Sequence, residues 1–489
     1  MSKFNDDSSE NEVPEDVSRR SLLGGIATIG GAVAVSSAIQ GCADSSEHVE
    51  GKAAPDVIVI GGGLAGCVAA RELAHKGHKV TLVEAQNRLG GRTFTSEFAG
   101  VQYEVGALML SWKQPLIWSE VVRYGMEIEP IPGSLAPERC YWIAGGESKS
   151  GSPEEFFELF VPAVHKFFDD VAATFPFPYE VLTNRSLVEK LDQLSVEDRL
   201  NERFASDPVA RDFADNWASV PLARQGSEVS LAATMALTSA FGGVEASLEG
   251  TGFRLKEGTS SLINNIVEDG GFDYRLGAPV ASISQNNSGA TVVLRGGETL
   301  SAEKVILTTP VNTYDGIEFN PPLNAAKQIV SKGKMAGGHG SHINAKLKGK
   351  SPPILAVAPS DMPLGLLLTT DVFEDSTIVD GYGPDADLFD GSDPEEVQEV
   401  IRQWIPDAEV LETVSYRWDL DPYSQGTWAG YKPGVLSKYF EGLRESEGHV
   451  YFASGDSATA FRGFMEGAIE SGVRVSRDVH RSLAGIKET

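Results

Sequence analysis

Cysteine is nearly absent: the 489-residue chain has three, Cys42, Cys67 and Cys140. None belongs to a C-x-x-C or Cys/His pair with metal spacing, and the eight histidines are scattered, so neither a disulfide framework nor a structural metal is expected. Positive charge is also scarce. Lys and Arg number 41 against 69 Asp and Glu, a formal net charge of −28. Such a surface repels nucleic acid and draws small cations inward at long range, although solubility alone is sufficient reason for it. Past residue 41 no segment is apolar enough to span a bilayer. The remaining composition, 41% hydrophobic and 22% charged, is that of a globular protein. The length is too great for one ordinary core and points to two interleaved domains.

Glycine, by contrast, is plentiful at 52 residues, and one stretch of it organises the chain. Val57 to Ile60 is an apolar run short enough for a buried strand. Gly61, Gly63 and Gly66 follow as G-x-G-x-x-G, and Leu64 to His75 then reads as a helix that Gly77 ends. Lys79 to Val83 is a second strand with Glu84 at its tip, followed by Ala85. This strand–turn–helix–strand unit is a dinucleotide-binding pattern. The first glycine permits the tight turn, the second lets backbone approach a pyrophosphate, and the third lets the helix pack close to the strand. Amides of the first helical turn, from Leu64 and Ala65, face the phosphates, where the helix dipole favours negative charge. Glu84 is placed to accept from ribose hydroxyls. Arg88, Gly90, Gly91 and Arg92 follow; two glycines let the chain pass the pyrophosphate, and an Arg can pair with it as a planar fork.

Before this unit, residues 1 to 18 are polar and acidic, and expected to be disordered. Arg19-Arg20 then precedes an uncharged run from Ser21 to Gly41, the layout of a twin-arginine export signal. That layout implies the Tat translocase as a partner and a periplasmic or cell-surface location. Ile39-Gln40-Gly41-Cys42 resembles a lipoprotein attachment box with an unusual Gln40, which leaves Cys42 a candidate lipid anchor. After the unit, Pro115 to Gly125 reads as a helix, and Ser152-Pro153-Glu154-Glu155 caps another that runs to Phe175. Its dense phenylalanines are expected to be core. Helical pattern continues from Ser195 to Phe204, from Asp207 to Ala218 and from Gly258 to Glu268. Strands are expected at Tyr274–Leu276, Ala281–Ser284, Thr291–Leu294 and Lys304–Thr308, and a further helix from Asp393 to about Trp404.

VTLVEAQNRLGGRTFTS, WDLDPYSQGTWAGY and YFASGDSATAFRGFMEGAIESG stand in that order along the chain. With them, residues 55 to 480 resemble the flavin-containing amine oxidases of the monoamine oxidase-like family. QPLIWSEVVRYGMEIE and PVNTYDGIEFNPPL make the likeness greatest to its bacterial branch of nicotine oxidoreductases and pseudooxynicotine amine oxidases. The resemblance implies an α/β fold in which a Rossmann-like FAD-binding domain (55–110, 245–310 and 440–485) interleaves with a substrate domain of mixed sheet plus helices (111–244 and 311–439). Residues 1–50 form the leader. It places Gly106 and Ala107 by the flavin ring, Val280 at the adenine, Gly455 and Asp456 at the ribityl chain, and Ala468 in a last helix aimed at the flavin. Trp428 and Phe464 become the two aromatic walls of the substrate site. Thr427 stands where some relatives carry a flavin-linking Cys, so the FAD is expected to be non-covalent.

One departure concerns the Lys that the family bridges by water to flavin N5. The resemblance puts Gly340 there, Lys346 is about 20 Å further along an extended strand, and His342 is the nearest titratable group. Missing that charge, the protein is expected to reoxidise slowly with dioxygen and to prefer a redox protein or quinone. Three functions follow. The first is exported oxidation of a small, cyclic or N-heterocyclic amine by hydride transfer to flavin N5. The second is desaturation beside a ring ketone, which needs a base. The third is a non-catalytic flavoprotein. A homodimer is left open.

Overall fold

The computed structural model describes residues 54–486. Arg19-Arg20, the Ser21–Gly41 run and Cys42 lie outside the described residues. The organising unit forms as its pattern predicts: β1 (Val57–Ile60), α1 (Leu64–His75) and β2 (Val80–Val83). β1 is wholly buried because it is central, with parallel neighbours on both sides. The five-stranded parallel sheet runs Val450–Phe452, Lys304–Leu307, β1, β2, Asp273–Arg275. Parallel strands covered on both faces need continuous apolar runs, which VIVI, VTLV and KVIL supply. α1 lies against the last helix, Met465–Leu483, with Gly472 so near that a Cβ there would sit 2.5 Å from the Ala65 carbonyl oxygen.

A second, seven-stranded sheet has the order Val410–Ser415, Ser341–Lys348, Ser376–Gly383, Leu366–Val372, Ile354–Val357, Arg139–Ala144, Glu147–Gly151. Its strands come from both segments assigned to the substrate side. The expected boundaries do not separate cleanly, however. Glu318–Asn320 crosses to pair in parallel with Val280–Asn286, and Ile128–Pro130 pairs with Phe253–Leu255. The described residues, 54–486, form one compact unit.

The Ser152 capping box is present: the Glu155 amide donates to Ser152 Oγ at 3.3 Å, and the Ser152 amide to Glu155 Oε2 at 2.8 Å. The helix stops at Phe168, short of the expected Phe175. Arg199 takes the Phe167 carbonyl at 3.0 Å and Asp170 at 2.8 Å, and Arg203 takes the Lys166 carbonyl at 2.8 Å. Those carbonyls would have continued the helix. The expected helix from Asp393 to Trp404 likewise ends early, at Ile401. Cys67 and Cys140 are free and buried, and burial pushes the Cys67 thiol up to about 12. Among the described residues no helix is long and apolar enough to cross a membrane.

Candidate active site

A cavity of about 550 Å³ runs from the carboxyl ends of β1 and β2 into the aromatic face of the second sheet. Ligands bind at this end of open parallel sheets, where the strand order reverses. Of the residues singled out by sequence, Gly61, Gly63, Leu64, Ala65, Glu84, Ala85, Gly90, Gly91, Arg92, Gly106, Ala107, Val280, Gly455 and Ala468 line it. Gly61 has φ +104°, a backbone conformation that side chains rarely adopt. Glu84 accepts from the Gly62 amide at 2.6 Å and the Gln86 amide at 2.7 Å, one on each carboxylate oxygen. Each oxygen keeps a lone pair for a ligand hydroxyl. Burial raises the Glu84 carboxyl above its usual range against the pull of those amides.

Four expected residues are placed elsewhere. Gly66 does not line the cavity but lies behind its wall, in the helix–strand contact expected of the third glycine: a Cβ there would sit 2.0 Å from the Gly61 carbonyl oxygen. Arg88 turns away from the cavity, donating to the Gly91 carbonyl at 2.9 Å and lying 4.0 Å over the Phe94 ring. It is spent on its own loop, not on a pyrophosphate. Asp456 is buried beneath the floor, where Oδ1 accepts from Arg92 at 2.8 Å and Oδ2 from the Val311 amide at 3.1 Å. Arg92 reaches the cavity, but its two terminal nitrogens go to Asp456 and to the Thr427 carbonyl at 2.6 Å, not outward as a fork.

Gly340 is the fourth, and the largest correction. A Cβ there would meet the Gly383 carbonyl oxygen at 2.5 Å and Ala223 Cβ at 2.8 Å. The chain before the Ser341–Lys348 strand is pinned on that side. The His339 amide donates to the Ala223 carbonyl at 2.9 Å, the Gly338 amide to the Trp428 carbonyl at 2.7 Å, and Arg224 to the Lys334 carbonyl at 2.9 Å. Gly340 therefore opens no space for substrate or water, and the cavity face of the strand belongs to His342.

His342 is buried in the wall. Nε2 lies 2.6 Å from Asp380 Oδ1 and Nδ1 lies 3.1 Å from the Val105 carbonyl oxygen. Cross-strand pairing sets it opposite Tyr382, and the rings stack at 4.5 Å, 8° from parallel. Tyr382 meets Trp428 edge to face at 5.8 Å, and the Trp428 indole donates to the Pro221 carbonyl at 2.8 Å. Trp428 thus offers only ring surface. Phe464, which precedes the last helix, meets Phe241 at 5.9 Å. Trp428, Phe464 and Tyr382 line the same cavity, joined by Phe156, Phe157 and Phe160 of the Phe-rich helix expected to be core alone.

Sequence reasoning missed Tyr382, Asp380, Asn216 and Trp418. The Trp418 indole shares the Val105 carbonyl with His342, at 3.1 Å. Asn216 lines the cavity, and its amide nitrogen donates to the Ala358 and Gly365 carbonyls, both at 2.7 Å, which leaves Oδ1 as its free acceptor. On the surface, His339, Asp387 and Asp419 gather their ligating atoms within 4.8 Å of one another. Arg417 already bonds both carboxylates at 2.7 Å.

Fold and site define a dinucleotide-binding redox protein in which cofactor and substrate share one cavity. The family is set by direct comparison. A model of the flavin-containing amine oxidoreductases matches residues 64–351 and 359–480, and the chain belongs to that family. It is 32% identical over 492 residues to a pseudooxynicotine dehydrogenase of Pseudomonas sp, covering 96% of this chain and 97% of the relative. Against a nicotine dehydrogenase of Pseudomonas putida it is 31% identical over 487 residues, covering 98% and 100%. Among solved structures, putrescine oxidase bound to putrescine matches with TM-score 0.75 at 22% identity, over 87% of this chain and 99% of that one. Cyclohexylamine oxidase of Brevibacterium oxydans matches with TM-score 0.75 at 22% identity, over 88% and 100%. The fold is thus the two-domain amine oxidase fold.

FAD is the cofactor of this family, and the residues fit it. Backbone amides of the α1 turn face the cavity, Glu84 keeps acceptor capacity, and the buried Thr427 hydroxyl has no protein partner. A buried orphan hydroxyl is costly unless a ligand completes it.

Proposed function

We propose that the protein oxidises a small, flat amine, cyclic or N-heterocyclic, with Trp428, Phe464 and Tyr382 enclosing it. One observation carries this reading. Of the residues lining the cavity, only Glu84 and Glu249 carry a carboxylate, and neither is at the aromatic wall: Glu84 holds the nucleotide end, and Glu249 is paired with Lys113 at 3.1 Å. A cationic ammonium would find no counterion beside Trp428, so the substrate is taken as the neutral amine by apolar and aromatic contact. Bound FAD supplies the hydride acceptor, at N5. The protein's part is to hold the carbon beside the nitrogen in register, offer Asn216 Oδ1 to a donor on the substrate, and exclude water. Ketone desaturation needs a base at the same wall. The titratable groups there are His342, with an oxygen acceptor at each ring nitrogen, and Tyr382, whose phenol burial and the Asp380 carboxylate push well above its usual range. Neither favours proton abstraction, so the amine reading is preferred.

Gly340 packs against Gly383 and Ala223, away from the cavity, and bears on no reaction with dioxygen. A preference for another acceptor, such as a redox protein or quinone, is supported instead by the dehydrogenase names of the two Pseudomonas relatives. The test is anaerobic titration of the purified holoprotein, followed by flavin absorbance. Bleaching by cyclic amines is expected, with slow recovery in aerated buffer and fast recovery with a quinone. Bleaching by cyclic ketones alone would overturn the reading. Acid precipitation of the same sample should leave a yellow supernatant, since Thr427 cannot form the thioether; flavin retained in the pellet would contradict non-covalent binding.

Export by the twin-arginine route rests on Arg19-Arg20 before the uncharged Ser21–Gly41 run. Replacing both arginines with Lys is expected to trap the protein in the cytoplasm. Undiminished export of that variant would refute the assignment.

A further inference from the structure

We infer that Asp380 is a positioning residue that holds His342 as an imidazolium, so that this pair presents a fixed positive charge to the flavin from the cavity wall. The inference rests on flavin binding in this cavity, and not on which substrate is oxidised.

The geometry counts protons. A neutral imidazole has one N–H and one lone pair. Here both ring nitrogens face oxygen: the Val105 carbonyl at 3.1 Å from Nδ1 and Asp380 Oδ1 at 2.6 Å from Nε2. A carbonyl cannot donate, so Nδ1 carries a hydrogen. The short contact to Asp380 then also contains a proton, and the carboxylate decides where it rests. Trp418 donates to the same carbonyl at 3.1 Å, which fixes its direction. The order of charges is equally plain. Asp380 is fully buried behind His342 and does not line the cavity, whereas His342 does. The positive end therefore faces inward.

The other ionisable neighbours act in the same sense or not at all. Glu104, at the end of the Val101–Glu104 strand, is pushed up to about 7 by burial; when ionised it helps keep the imidazole charged. Tyr382 stacks on His342 and stays neutral. Burial alone would lower the His342 pKa, but Asp380, with the Val105 carbonyl and Glu104, outweighs it and raises it. A raised pKa means that the charge is fully present below the ordinary imidazole range and is lost as pH climbs through the folded value. A cation beside the flavin favours electrons on it.

The test uses holoprotein without substrate. Nitrogen-15 histidine spectra across pH should show His342 as imidazolium at neutrality, and Asp380→Asn should turn it to the neutral imidazole at that pH. The flavin midpoint potential should move to more negative values in Asp380→Asn and meet that of the native protein at high pH. Asp380→Glu should restore both signatures. The flavin-loaded fraction of His342→Gln should give the low potential at every pH, and does so even if Asp380→Asn fails to fold. A neutral His342 at pH 7 in the native protein would overturn the proposal. So would native potentials, at all pH values, in flavin-replete His342→Gln. Because no substrate enters either measurement, failure of the amine assay leaves the result standing.

Discussion

Gly66→Ala is expected to empty the protein of flavin while leaving most of its fold. The added methyl would lie 2.0 Å from the Gly61 carbonyl oxygen and 2.6 Å from Thr308 Oγ1. Neither partner is a loose side-chain end. Gly61 forms the turn itself, and the Thr308 hydroxyl donates to the Ile60 and Gly61 carbonyls at 2.9 and 2.8 Å. The helix must lift, yet its far side is held by the last helix, where Gly472 touches Ala65. Overpacking of this kind costs about 1–3 kcal/mol. Because the same movement takes the first-turn amides off the pyrophosphate, most of the cost falls on binding, about tenfold in Kd per 1.4 kcal/mol. The ratio of flavin to protein absorbance, with circular dichroism as control, reads it directly. Native flavin content would show that the turn has slack the contact distances deny.

Arg92→Ala is expected to cost about 3 kcal/mol of stability, the low end for breaking a buried pair, because Arg92 is partly open to the cavity while Asp456 is not. The guanidinium joins two distant segments, donating to the Thr427 carbonyl and to the Asp456 carboxylate. Removal strands a buried carboxylate with one remaining amide partner, from Val311. Arg92→Ala/Asp456→Asn should recover at least 1 kcal/mol, since the neutral amide no longer carries a charge into the interior. Arg92→Lys should fall between, because one ammonium cannot reproduce the fork. Urea unfolding of the native protein, these three variants and Asp456→Asn alone measures all of this. Additive single-variant effects would mean that the two side chains merely lie near each other.

Much of the nucleotide end was legible because its physics is local. The β1–α1–β2 spacing, a Gly at the turn and an acid at the strand tip are set within about 30 residues, and α1 spans Leu64–His75 as read. The substrate end was less so, because its contacts are long-range. Asp380 meets His342 across 38 positions, and nothing in either strand's alternation announces the pair. Gly340 was expected at the cavity and does not line it, for a related reason. His342 was noted as the nearest titratable group, but that it and not Gly340 lines the cavity, and that Gly340 serves close passage under Ala223, are visible only in three dimensions. Arg88 and Asp456 were expected to meet the cofactor, but ionisable side chains near a cavity can be spent on the scaffold, and these are.

The strand order of the parallel sheet also bears on how the chain is made. β1 gains β2 almost at once, but its other neighbour begins at Lys304, 244 positions after Ile60, and the strand beyond that ends at Phe452. At roughly 5–20 residues per second on the ribosome, the open edge of β1 waits on the order of 10–50 s for its partner. Contacts of such long sequence separation also close slowly once available, and an uncovered apolar edge invites pairing with other chains. The nascent chain therefore depends on shielding through most of its synthesis, and the dinucleotide cradle cannot be complete until nearly the last helix has emerged.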